Sequence, residues 1–181
     1  MALVHYPVVN KNGDVIASAV TNLDLHDISR AAKTYGVRQF YVVTPLEDQR
    51  TLVKRLISHW VTGFGAQYNP KRRQALELVH IKSSLDEVID QIRQHGGQTP
   101  KMIVTSARQD PGNIDFGRLR EMISDGNLYV LILGTAWGLT KEFIDAADYI
   151  LEPVMGNTDY NHLSVRSAAA IILDRLFGRY Q

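Results

Sequence analysis

Two hydrophobic periods alternate along the chain. Short apolar runs, HYPVV (5–9), QFYVVT (39–44), ALELVHI (75–81), KMIVTS (101–106), LYVLIL (128–133) and YILEPV (149–154), read as strands. Between them apolar residues recur at helical spacing. Leu25, Ile28, Ala32 and Tyr35 predict a helix over 24–35, stopped by Gly36. Val53, Leu56, Ile57, Trp60 and Val61 form the stripe of a helix over 46–62. Leu85, Val88, Ile89 and Ile92 mark a helix that stops at Gly96 and Gly97, and Leu119, Met122 and Ile123 a short one ending at Asp125-Gly126. A short helix is expected over 141–147. Val165, Ala168, Ala169, Ile172 and Leu176 build the last helix. GFGAQYNPKRR (63–73) and ARQDPGN (107–113) read as loops by composition.

Strand and helix thus alternate six times within 181 residues, a length that suits one domain over 1–181. The order predicts an α/β fold: a mostly parallel six-stranded sheet with helices on both faces. In such sheets ligands sit beyond the carboxyl ends of the strands. The informative loops are those after Thr44, Ser106, Leu133 and Val154.

Composition removes several chemistries. There is no cysteine, so no disulfide, thiolate nucleophile or Cys metal site. The six histidines (5, 26, 59, 80, 95, 162) show no HxxxH spacing, and no metal is expected. GxGxxG, GxxxxGK[ST] and GxSxG are absent. MALVHYPVV lacks a basic start followed by a long apolar run, so no signal peptide is expected. No apolar stretch approaches the roughly 20 residues that span a bilayer. A cytoplasmic protein is the expectation.

Net charge is only +1, but it is unevenly spread. From Arg30 to Arg73 nine Lys/Arg stand against two acids, a net +7, while the rest of the chain carries −6. A basic segment beside an acidic remainder suits a polyanion. Arg50, Lys54, Arg55, Lys71, Arg72 and Arg73 are its candidate contacts with backbone phosphate, and YNPKRR (68–73) is the densest part. The alternative is a solvated helix face.

Two constellations remain. Small residues cluster at the late strand ends: Thr105, Ser106 and Ala107, then Gly134, Thr135, Ala136 and Gly138, then Gly156. Such loops hold an adenosine-like ligand through backbone groups, or they are simply turns. In TNLDLHDISR (21–30), His26, Asp27 and Arg30 fall on one helix face, with Asp24 as the expected N-cap. MGNTDYNHLS (155–164) is a polar run before the last helix, read either as capping by Asn161 or Ser164 or as a binding rim.

These motifs resemble the SPOUT superfamily of RNA methyltransferases, the α/β-knot proteins, in a compact stand-alone bacterial branch. The resemblance runs nearly end to end. It is carried by Asn22 to Arg30 followed by Tyr35-Gly36, by Leu133-Gly134 and Gly138-Leu139, by Glu152-Pro153-Val154 and Gly156, and by His162-Leu163-Ser164 ahead of Ala168-Ala169-Ala170. It implies S-adenosyl-L-methionine (AdoMet) as cofactor, held by these late-loop residues, and tRNA or rRNA as substrate. It implies a C-terminal trefoil knot and a homodimer whose partner completes the site. Arg30 is then the expected catalytic residue, with Asp24 and His26 as candidate bases. The chain departs from the pattern at Ala136, where an acid is common, at Ser164, where Asn is common, and at Asp24, where the ribose methyltransferases have Asn. Two rival readings stand beside it: an inactive knot-fold RNA-binding dimer, and a flavodoxin-like nucleotide-binding protein.

Overall fold

A computed structural model describes residues 1–179. In chain order the elements are β1 (Ala2–Val4), β2 (Val8–Val9), β3 (Val15–Ile16), α1 (Asn22–Thr34), β4 (Phe40–Val43), α2 (Glu47–Val61), α3 (Phe64–Tyr68) and α4 (Pro70–Leu76). There follow β5 (Val79–Lys82), α5 (Leu85–Gly96), β6 (Lys101–Thr105), α6 (Phe116–Met122), β7 (Tyr129–Gly134), α7 (Lys141–Asp145), β8 (Tyr149–Leu151) and α8 (Val165–Phe177).

Six strands form one sheet in the order β5-β4-β1-β7-β6-β8, and every pairing in it is parallel. Side chains alternate between its faces. Leu3, Phe40, Val42, Ile103 and Leu133 pack with Leu25, Ile28, Val53, Leu119 and Leu173 on one face. Ala2, Val4, Tyr41, Val43, Val104, Val130 and Ile132 pack with Val88, Phe143 and Ile144 on the other. Both faces are therefore covered, which is why the strands read as unbroken apolar runs.

The order reverses between β1 and β7. The connection after β1 leads towards β4, and the one after β7 crosses to β8 beyond β6. Adjacent strands whose loops diverge open a crevice at their carboxyl ends. On the β8 side the chain has a further constraint. Leu151 pairs with Thr105 on one edge and bridges Ile114 on the other. Residues 106–113 therefore arch across the end of β8, and the chain leaving β8 must pass this arch before α8 returns to pack on α1 and α6. Tyr35 Oη donates to Asp174 Oδ1 at 2.8 Å, tying α8 to the end of α1.

Several boundaries differ from the sequence expectation. The first strand ends at Val4 rather than running over 5–9, because Pro7 has no ladder donor; Val8–Val9 pairs instead in a two-stranded hairpin with Val15–Ile16. The segment 63–73 is not loop. It holds α3 and most of α4, and α4 starts on an Asn69 cap with Pro70 at its first position. Consequently Ala75 and Leu76 end a helix, and the expected strand 75–81 shrinks to Val79–Lys82. The last strand stops at Leu151, since Pro153 follows and Glu152 N is bonded to Ile114 O.

Gly134 closes β7 where backbone crowds backbone. A Cβ there would lie 2.9 Å from Leu139 N and from Leu139 Cγ. Gly134→Ala is expected to destabilise the fold by about 1–3 kcal/mol, read as a lower urea midpoint at unchanged m.

Candidate active site

The start of α1 is built by a different residue from the one expected. Thr21, not Asp24, is the N-cap: its hydroxyl accepts from Asp24 N at 3.1 Å and donates to Asp24 Oδ2 at 2.6 Å. Asp24 sits inside the first turn with 7 % of its surface exposed. A buried carboxylate needs charge or hydrogen-bond partners. The second partner comes from the far end of the chain, where Arg166 Nη1 lies 3.3 Å from Asp24 Oδ1 and Arg166 Nε 3.7 Å from Asp27 Oδ2.

Arg166 thus joins the N-terminal constellation to the polar run before α8. Sequence reasoning missed it. The one local signal is weak: Arg166 stands in the first turn of a helix, where the dipole disfavours a cation by a fraction of a kcal/mol to about 1 kcal/mol and an acidic neighbour offsets it.

The expected common face of His26, Asp27 and Arg30 divides in two. Neighbours in a helix point about 100° apart, so Asp27 turns to α8 while His26 turns to α2 and α4. His26 meets Trp60 edge-on at 5.4 Å, and the Arg72 guanidinium lies 4.6 Å over the same indole. Burial, then the charge of Arg72, pushes the His26 pKa below its ordinary value. Its imidazole is therefore neutral at pH 7, and Nδ1 has no hydrogen-bond partner among the described residues. Arg30 is exposed, and its guanidinium makes no hydrogen bond or ion pair among the described residues.

A second buried network fills the crevice between β1 and β7. His5 is fully buried, with Nδ1 3.0 Å from Ser18 Oγ. Ser18 Oγ bonds Thr135 Oγ1, which also reaches Val4 O at 3.0 Å. The loop after β7 is clamped onto the β2–β3 hairpin as well, through Val9 N to Gly138 O at 3.0 Å and Trp137 N to Val9 O at 3.1 Å. Burial lowers the His5 pKa to about 4, against a smaller opposite pull from Asp24.

Since β7, β6 and β8 are neighbours, the loops that follow them converge. Thr105 Oγ1 donates to Ile132 O at 3.1 Å, locking β6 to β7. Ser106 Oγ accepts from Arg108 N. Ala136 takes a left-handed φ of 52° and Gly138 one of 108°. Leu133 and Leu139 are core residues, as is Thr135. Glu152 is engaged by the fold, accepting from Phe116 N at 2.9 Å, and Pro153 is buried beside it. Val154 packs against the core and Gly156 is exposed. Asn161 is no cap: its amide donates to Ala107 O at 2.9 Å and stitches the last loop to the arch. Ser164 is the cap of α8, accepting from Ser167 N, so the polar run both caps and links. His162 and Leu163 stand exposed just before it.

These loops suit a ligand read through backbone. The amides of Ala107, Ala136 and Gly156 have no hydrogen-bond partner among the described residues, and Asn113 Oδ1 is buried in the arch without one. Open donors on three converging loops match a molecule rich in acceptors, such as an adenosine.

The expected basic contacts are of two kinds. Lys54, Arg55 and Lys71 are exposed. Arg50 instead donates to Pro45 O at 2.6 Å and Thr44 O at 3.4 Å, and Arg73 pairs with Glu77 at 2.8 Å. Arg72 lies on Trp60. A hollow of about 390 Å³ at the β5 edge is lined by Lys54, His80 and Lys82, on the other side of the sheet from the three loops.

The model of a family described as SAM-dependent RNA methyltransferase matches residues 1–178. The chain is 41% identical over 180 residues to an uncharacterized protein of Aquifex aeolicus, covering 99% of this chain and 88% of that one. It is 47% identical over 177 residues to a tRNA (guanine-N(1)-)-methyltransferase of Oleidesulfovibrio alaskensis, covering 98% of this chain and 41% of that one. It therefore spans well under half the length of that tRNA enzyme. Its fold is similar to that of TrmJ from Z. mobilis ZM4, with a TM-score of 0.62 at 14% identity over 99% of this chain and 69% of that one. It is also similar to the SpoU methyltransferase AviRb from Streptomyces viridochromogenes in complex with AdoMet, with a TM-score of 0.57 at 17% identity over 98% and 56%.

The buried His5 makes stability depend on pH with a definite sign. The unfolded chain takes up a proton near 6.5 and the folded chain only near 4, so the stabilisation is complete above pH 6.5 and is lost as pH falls towards 4. The loss is on the order of 3 kcal/mol. Urea unfolding at pH 7.5 and 4.5 is expected to give a steeper decline for the wild-type chain than for His5→Asn.

Proposed function

The chain belongs to the SAM-dependent RNA methyltransferase family, with the SPOUT fold, and on that premise we propose that it methylates a base nitrogen or a ribose oxygen of tRNA or rRNA, with Arg30 as its central catalytic residue. The observation that carries this reading is the Arg166 bridge to Asp24 and Asp27. It brings the polar run before α8 against the one helix that presents an exposed Arg30 and a neutral His26.

AdoMet, when bound, supplies a methyl group on a sulfonium, an electrophile that needs no metal. Ala107, Ala136 and Gly156 would hold it through their open amides. What the chain itself must do is align an RNA atom and manage one proton. Arg30 forks onto a phosphate and sets the position of the attacking nucleotide. The neutral His26 is the candidate proton acceptor, through Nε2, since its Nδ1 is buried. Asp24, held by Thr21 and Arg166, orients the start of α1 and does not leave its partners. An aspartate here, in place of the asparagine of ribose methyltransferases, leaves methylation of a base nitrogen open beside that of a 2′-hydroxyl.

The site is proposed to lie in a cytoplasmic homodimer with a trefoil-knotted C-terminus. The arch of 106–113 over the end of β8 supports the knot. Met155, Tyr160, Leu163 and Phe177, all more than 40 % exposed on the last loop and α8, support a seam between copies.

The guanine-N1 chemistry of the O. alaskensis relative belongs to a chain more than twice as long, so the atom methylated here has to be found directly. Transfer of tritium from labelled AdoMet to total RNA of a deletion strain, with nucleoside digestion, identifies it. Arg30→Ala is expected to lower transfer at least about a hundredfold while AdoMet affinity by calorimetry stays within a few-fold. Equal activity in the variant rejects the role of Arg30. Leu163→Asp is expected to shift the wild-type dimer towards monomer in analytical ultracentrifugation.

A further inference from the structure

The two most exposed large apolar side chains lie outside the site described above. Phe64 is 74 % and Tyr68 77 % exposed, and they stand one turn apart on α3. Their rings are 6.3 Å apart and 22° from parallel. Burying neither costs the fold a large hydrophobic contribution, so their exposure asks for a partner.

The opposite face of α3 explains why they point outward. Gly65 and Ala66 are buried, and a Cβ on Gly65 would fall 2.6 Å from the Trp60 ring. Helix α3 therefore lies flat on Trp60. That indole also carries His26 on its edge and the Arg72 guanidinium on its face. The aromatic pair is thus one packed layer from the α1 site. Arg72 Nε is buried without a partner among the described residues. No acidic residue occurs between Asp48 and Glu77, while six Lys/Arg do.

We propose that Phe64 and Tyr68 form a stacking platform for unpaired RNA bases beside the α1 site, with Lys71 and Arg73 gripping the flanking phosphates. The proposal rests on the RNA reading above and adds the form of the substrate: single-stranded or loop nucleotides, since bases in a duplex have no free faces. Charge favours RNA over a second copy of this chain. Area does too: two rings offer at most about 300–500 Å², below the roughly 800 Å² each partner of a stable interface buries.

Fluorescence anisotropy with a labelled oligo(A) and an RNA duplex of equal length tests this. Phe64→Ala/Tyr68→Ala is expected to weaken oligo(A) binding about tenfold or more, to change duplex binding less than about twofold, and to leave the salt slope unchanged. Phe64→Leu/Tyr68→Leu, which keep the apolar surface without the ring faces, should match the alanine pair. Lys71→Ala/Arg73→Ala should weaken both RNAs and flatten the salt slope. Unchanged oligo(A) binding in the alanine pair, rescue by leucine, or loss of a wild-type dimer in that variant overturns the platform. AdoMet calorimetry on the same proteins separates the two readings. Cofactor binding without selective oligo(A) binding rejects the platform and keeps the methyl-transfer reading, and selective oligo(A) binding without cofactor binding does the reverse.

Discussion

Asp24 is a carboxylate with 7 % of its surface exposed, and Arg166 is the cation that answers it from 142 residues away. Leaving a buried charge unpaired costs several kcal/mol, so the first turn of α8 cannot drift from α1. That restraint places Ser164, the last loop and α8. Tyr35 and Asp174 repeat it at the other end of the same helix pair. The exposed Arg30 and the neutral His26 are presented by a helix held along its length, which is what positioning chemistry requires.

The loops after β6, β7 and β8 depend on the sheet in a different way. Their closeness follows from strand order alone, since β7, β6 and β8 are neighbours. Each is then pinned by its own contact: Thr135 to Ser18 and Val4, Asn161 to Ala107, Glu152 to the start of α6. Polar groups used for pinning are unavailable to a ligand. Open amides remain on each of these loops, those of Ala107, Ala136 and Gly156 among them. A ligand read by the peptide at Ala136 would not depend on the side chain there, whereas Ser164 acts through its hydroxyl as the cap of α8.

Much of the fold was legible because burial on both faces leaves a plain mark. Strands such as β4 and β7 are continuous apolar runs, and helices such as α1 and α5 carry stripes that end at Gly36 and Gly96-Gly97. The segment 63–73 was misread because Gly, Asn and Pro outvoted short helices with few apolar residues. Asn69-Pro70 was a helix start, a cap followed by a residue that needs no donor. That error hid α3, and with it the reason Phe64 and Tyr68 face water. The candidate residue types could be named from the sequence: Arg30, His26 and Asp24 share α1, and the small-residue loops follow the neighbouring strands β6, β7 and β8. Their partners could not. Nothing local in the sequence links Arg166 to Asp24 or His5 to Thr135.

The sequence by itself determined the alternation of strand and helix, the basic stretch that excludes acids from 49 to 76, and the family pattern near both ends. These are local properties, written in periodicity, composition and spacing. The tertiary structure alone decided which carboxylate is buried, that His26 and Asp27 turn to different neighbours, and that the chain leaving β8 must pass the arch of 106–113. Those depend on which distant segments share one small volume. Pairing a buried charge, filling a crevice or crossing an edge are conditions on the packed whole, and no window of the chain contains them.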